Sequence, residues 1–171
     1  MPLRKLDEIP KLPKTRKKKP EVIWNLIPEK KKDNIEYICK PLFYFDKVLK
    51  KQKTGFIIES VAHFSSFSYE IINEVKKNKN EIIITIYGIK NLNNAIPRIG
   101  PAIAEIYFED LFGEHTVYIV KQDVCINGAH VDFNIFKKDI VIKNKFLYEK
   151  KNNRLFCDFI IDKSLFTFKE N

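Results

Sequence analysis

The sequence predicts an all-β protein: an antiparallel β-sandwich of about 8–10 short strands carrying a disordered basic N-terminal arm. Three observations predict it. From residue 34 onward, short apolar runs alternate with polar residues and are separated by turn signals at about 8–12 residues. No helical pattern intervenes, so parallel crossovers are not expected. Composition also changes near residue 33. Residues 1–33 hold 11 of the 31 Lys and Arg, five of the eight prolines and no glycine, whereas 34–171 hold all five glycines.

The 171 residues therefore divide into an arm, 1–33, and a β-sandwich domain, 34–171. The body is long enough to bury one core without disulfides or metals. In the arm, Pro2, Pro10, Pro13 and Pro20 exclude a continuous helix and favour an extended, polyproline-like chain. The apolar island 22–27 holds Trp24, the single tryptophan, and is expected to dock back on the body; the alternative is a short anchor on a partner.

In the body, 35–45 reads as a strand interrupted by Pro41, hence an edge or a bulge. Strands follow at 55–62 and 64–75, the second also compatible with a helical face, and EIIITIY at 81–87 is a strong strand. The loop 90–101 carries two prolines and Gly100. Strands are then expected at 103–108, 116–126, 129–136, 140–142, 146–151, 154–161 and 165–168.

The net charge of +9 is concentrated in the arm, which carries 11 basic and 5 acidic side chains. A basic arm suits a protein partner with an acidic surface, nucleic acid or acidic lipid. Trp24 is the expected anchor, and Lys17, Lys18, Lys19, Lys30, Lys31 and Lys32 are the expected electrostatic contacts. Lys18-Lys19 followed by Lys30-Lys31-Lys32 also has the spacing of a bipartite nuclear import signal, which would carry a eukaryotic chain to the nucleus. Only four residues are arginine, and a lysine bias with abundant Ile and Asn is also what an AT-rich genome produces. Cys39, Cys125 and Cys157 form no C-x-x-C pair, so a secreted disulfide framework is not expected and the default location is intracellular and cytoplasmic. No run approaches the ~20 apolar residues of a membrane span, and no apolar signal core follows the basic start.

Asn127-Gly128 suits a two-residue type I′ hairpin. That register sets Cys125 opposite His130 and Asp123 opposite Asp132, on the face away from Ala129, Val131 and Phe133. Paired aspartates repel across a ladder, and a lysine or a cation would relieve them. The plain reading is a solvent-facing hairpin tip; Cys125, His130, Asp123 and Asp132 are the candidate metal ligands, and Cys125 with His130 a candidate nucleophilic pair. Glu105 and Glu109 share a strand face and are candidate acid/base carboxylates, with a wet sheet face as the plain reading. No P-loop, G-x-G-x-x-G, H-E-x-x-H or G-x-S-x-G motif occurs, so neither a cofactor nor a catalytic site is assigned.

The segments EIIITIYGIKNL at 81–92 and AEIYF at 104–108 resemble the opening strand, loop and following strand of a C2 domain. The resemblance implies a β-sandwich that docks on membranes or proteins. The loop at 93–102 has no aspartate where calcium-binding C2 domains place one. The expected function is a non-catalytic binding or assembly module contacting a protein or anionic partner. The alternatives are a C2-like module docking on acidic lipid or protein, and a metalloprotein or enzyme built on the 123–132 cluster.

Overall fold

A computed structural model describes residues 32–65, 67–92, 99–149 and 152–169. Nine strands follow in order: β1 Tyr37–Asp46, β2 Lys51–Phe64, β3 Tyr69–Asn78, β4 Glu81–Asn91, β5 Gly100–Phe108, β6 Gly113–Lys121, β7 Ile126–Asn134, β8 Asp139–Leu147 and β9 Cys157–Phe159. A 3-10 turn at Lys163–Leu165 is the only helical element among the described residues. No helix there is long and apolar enough to cross a membrane. The all-β class follows from the period-two burial that the sequence carries, seen most cleanly where Ile82, Ile84 and Ile86 are buried along β4.

The division of these strands into two sheets does not occur, and the pairing is mixed where an antiparallel arrangement is expected: β1–β9, β3–β5 and β4–β6 run parallel, their crossovers made by strands of the same sheet in place of helices. The strands form one sheet in the order β8-β7-β6-β4-β3-β5-β2-β1-β9. It curls until its ends meet, giving a nearly closed barrel. The closure uses side chains in place of a ladder. Asn127 of β7 accepts from Phe156 N at 2.8 Å and Cys157 N at 2.7 Å, and donates to Arg154 O at 2.9 Å. Asn153 returns the arrangement, accepting from Ile126 N and donating to Ile126 O and Tyr148 O. Lys145 of β8 also pairs with Asp158 of β9 at 2.7 Å.

The interior is filled. Phe43, Phe56, Phe133, Phe156 and Phe159 are fully buried with Ile58, Ile71, Ile84 and Ile119. Phe56 meets Phe133 edge to face at 5.7 Å, and Phe43 meets Phe133 in the same way at 6.5 Å.

Several expected elements shift. Asn127-Gly128 is not a hairpin turn: both residues lie inside β7, with Asn127 opposite Ile119 and Gly128 opposite Tyr118. The turn falls earlier, at residues 122–125. There Lys121 and Cys125 bond through their backbones, Asp123 accepts from Cys125 N, and Val124 takes φ 60°. Local Asn-Gly preference is overruled because the Asn127 amide finds three buried partners on the far edge, and Gly128 lets the Phe146 ring lie where a Cβ would stand. Of the strand expected at 146–151, Phe146 and Leu147 form the end of β8; that expected at 154–161 reduces to β9, and 165–168 holds no strand, Leu165 closing the 3-10 turn.

Pro41 sits within β1, which pairs with β2 throughout but with β9 only through Cys39. On that outer edge Cys39 O accepts from Ile160 N, while Phe43 O and Phe45 N bond to Thr167. By alternation the missing N–H of Pro41 falls on the same side, where it costs no ladder bond.

The strand directions place every odd strand one way and every even strand the other. The β1–β2, β3–β4, β5–β6 and β7–β8 connections therefore share one end of the barrel.

Candidate functional site

The residues singled out in the 123–132 segment are not assembled into one site. Because the turn lies at 122–125, Cys125 does not face His130, and Asp123 does not face Asp132; their partners across the ladder are Thr116 for His130 and Glu114 for Asp132. Cys125 is buried, and burial followed by the neighbouring Asp123 carboxylate pushes its thiol upward, away from the reactive thiolate. His130 is on the outer face, bonded to Thr116 Oγ1 at 3.1 Å and tilted over the Phe146 ring. Asp132 lies 3.8 Å from Lys143, which is bonded more closely to Glu114. Among the described residues, no group of three or more His, Cys, Asp and Glu is placed to hold a metal ion.

The two carboxylates 105 and 109 are separately engaged. Glu105 accepts from the Tyr107 hydroxyl at 3.0 Å, and Glu109 pairs with Lys51 at 3.0 Å. Cys39 and Cys157 are buried in the core, where burial raises both thiols. Of the arm residues, Trp24, Lys17, Lys18, Lys19, Lys30 and Lys31 lie outside the described residues; Lys32 lies within them and is exposed.

Two polar features surround the barrel wall. At the closing seam, Lys121 and Arg154 both donate to Glu36, and Asp123 lies 3.8 Å from Arg154. Arg154 has 4% of its side chain exposed. Burial would raise the Glu36 carboxyl, but the bonds and charges of Lys121 and Arg154 outweigh it and hold the group below the ordinary range. The network joins the segment before β1 to the segment before β9, so its role is structural. The second feature is a cleft of about 430 Å³ on the outer wall, lined by Tyr69, Glu70, Asn73, Ile103 and Glu105. It opens where β3 and β5 pair only through Glu70 and Ile103.

The rim formed by the four odd-to-even turns combines exposed apolar tips with lysines; the opposite end also exposes Phe67, Ile99, Val124 and Tyr148. In the β1–β2 turn, Asp46 accepts from Val48 N and Leu49 N at 3.0 Å each, and Lys50 takes φ 52°. This capped turn holds Val48 90% and Leu49 55% exposed. In the β7–β8 turn, Asn134 accepts from Lys137 N, Lys138 takes φ 53°, and Phe136 is 97% exposed. In the β5–β6 connection, Leu111 is buried while Phe112 is 70% exposed. Bonds within the β1–β2 and β7–β8 turns thus fix those two loops and leave Val48, Leu49 and Phe136 in water.

Lysines flank these tips. Lys51, Lys77 and Lys163 are neutralised by Glu109, Asp110 and Asp139, and Lys138 lies over the Phe168 ring at 5.0 Å. Lys47, Lys50, Lys79 and Lys137 have no ion-pair partner among the described residues. The rim is not among the sites expected from the sequence. Its signal is nevertheless there: KVLKK at 47–51 and IFKK at 135–138 place large apolar residues where turns ordinarily carry polar ones.

No protein-family model, curated protein or solved structure matches this chain.

Proposed function

We propose that the chain is a non-catalytic binding or assembly module, with the nine-stranded barrel as scaffold and its lysine-bearing surfaces contacting a protein or anionic partner. The observation that carries this reading is the rim. Four exposed apolar side chains share one end of the barrel with four lysines that have no partner carboxylate among the described residues, while the interior is filled. Large apolar side chains held in water by well-bonded turns favour burial against something else. The basic arm is a second proposed contact, with Trp24 as anchor and Lys17, Lys18, Lys19, Lys30, Lys31 and Lys32 as electrostatic contacts. No observation favours the reading built on Cys125, His130, Asp123 and Asp132.

Affinity capture followed by partner identification tests this reading. It compares the full chain, residues 32–171, and a full chain with Val48, Leu49 and Phe136 changed to serine. The captured set is expected to shrink with loss of the rim or of the arm. A set indifferent to both changes would remove the reading.

A further inference from the structure

We propose that the rim docks on an anionic lipid bilayer: Val48, Leu49, Phe112 and Phe136 enter the interfacial layer, and Lys47, Lys50, Lys79 and Lys137 meet lipid phosphates. The proposal rests on the binding-module reading and names its partner. Three observations favour a bilayer over other anionic partners. The tips come from separate turns at one end of the barrel, an arrangement suited to reaching one plane together. Phe112 and Phe136 are able to stack on bases, but Val48 and Leu49 are aliphatic and gain nothing by it; nucleic acid would leave these two in water, whereas a bilayer takes all four. Apolar tips ringed by lysines also match the two layers of a membrane surface, hydrocarbon below and phosphate above.

The chemistry is additive. Each lysine near an anionic surface raises the binding constant roughly fivefold, and the apolar tips supply the part that salt does not screen. The turns need no rearrangement to bind. Asp46 and Asn134 already hold the β1–β2 and β7–β8 turns by backbone bonds, so little ordering entropy opposes docking.

Vesicle flotation with the full chain tests the proposal, using neutral phosphatidylcholine vesicles and vesicles with roughly 30% phosphatidylserine. The expected result is flotation with the anionic vesicles only. Changing Val48, Leu49 and Phe136 to serine should weaken it tenfold or more, and changing Lys47, Lys50 and Lys137 to glutamine should do the same with an unchanged melting temperature. An environment-sensitive fluorophore on Phe136→Cys should brighten on binding, whereas the same label on Leu147→Cys, at the opposite end of the barrel, should not. The three native cysteines are buried and stay unlabelled.

Absence of flotation, flotation indifferent to both sets of substitutions, or equal brightening at both labels overturns the proposal. Rim-dependent retention on an immobilised polyanion or on a captured protein, without vesicle binding, also overturns it but leaves the binding-module reading standing. Binding that depends on neither the rim nor the arm in any assay removes both.

Discussion

Asn127 shows how one side chain can replace a strand. Its amide oxygen accepts two backbone N–H groups and its nitrogen donates to one carbonyl, all on the approach to β9. Asn127→Leu preserves the volume but leaves these buried groups unpaired, so we expect a loss of about 3 kcal/mol or more in urea unfolding. A loss below about 1 kcal/mol would mean that the edge finds other partners. Two glycines make a second comparison. A Cβ at Gly55 would run into the Ile106 carbonyl, which is fixed in the β2–β5 ladder, whereas one at Gly128 would meet the ring of Phe146, which can turn. Gly55→Ala should therefore cost more than Gly128→Ala, at least 1–3 kcal/mol on the usual scale of overpacking, as read from their melting temperatures. The burial of Cys39 and Cys157 was legible from their apolar neighbours. The role of Asn127 was not, because its three partners lie beyond residue 153 and only the curl of the sheet brings them near.

At the scale of elements, the strands were legible up to β7, except that the expected 64–75 strand straddles the β2–β3 connection, while the segment after residue 139 divides differently. The alternation in EIIITIY places β4 unambiguously. Thr116–Ile126, expected to be continuous, breaks at 122–125 because the parallel ladder with β4 ends at Lys121 and the Asp123 side chain then accepts from Cys125 N. The irregular C-terminal segment does the work of an edge strand without being one. Thr167 N donates to Phe43 O, and the Thr167 hydroxyl accepts from Phe45 N at 2.8 Å. Thr167→Val removes only the second bond. We expect a loss of roughly 1 kcal/mol by thermal melting, since one backbone N–H on the exposed edge of β1 loses its partner. An unchanged melting temperature would show that water replaces the hydroxyl at no cost.

For the whole molecule, closure makes stability depend on pH through the seam. Lys121 and Arg154 hold the Glu36 carboxyl below its ordinary value despite its burial. A carboxyl lowered in the folded state adds stability that is complete above the unfolded value, about 4.3 for glutamate. That stability falls away as pH drops from there through the lowered folded value. The difference in melting temperature between the native chain and Glu36→Gln should thus be largest at about pH 6 and shrink toward zero in stronger acid. A difference that stays constant with pH would show that the ion pairs do not tighten the seam.

What the sequence determined by itself was local: an all-β chain, the period of its strands, the burial of Cys39, Cys157, Ala129, Val131 and Phe133, and a change of composition near residue 33. Each depends on neighbours within a few residues, which is the range over which side-chain alternation and turn chemistry act. What only the tertiary structure decided was that the strands form one curled sheet, that Asn127 belongs to a strand, and that four turns meet in one rim. These depend on which distant edges pair. Two sheets and one curled sheet bury the same alternating face, so the pattern of apolar residues cannot distinguish them.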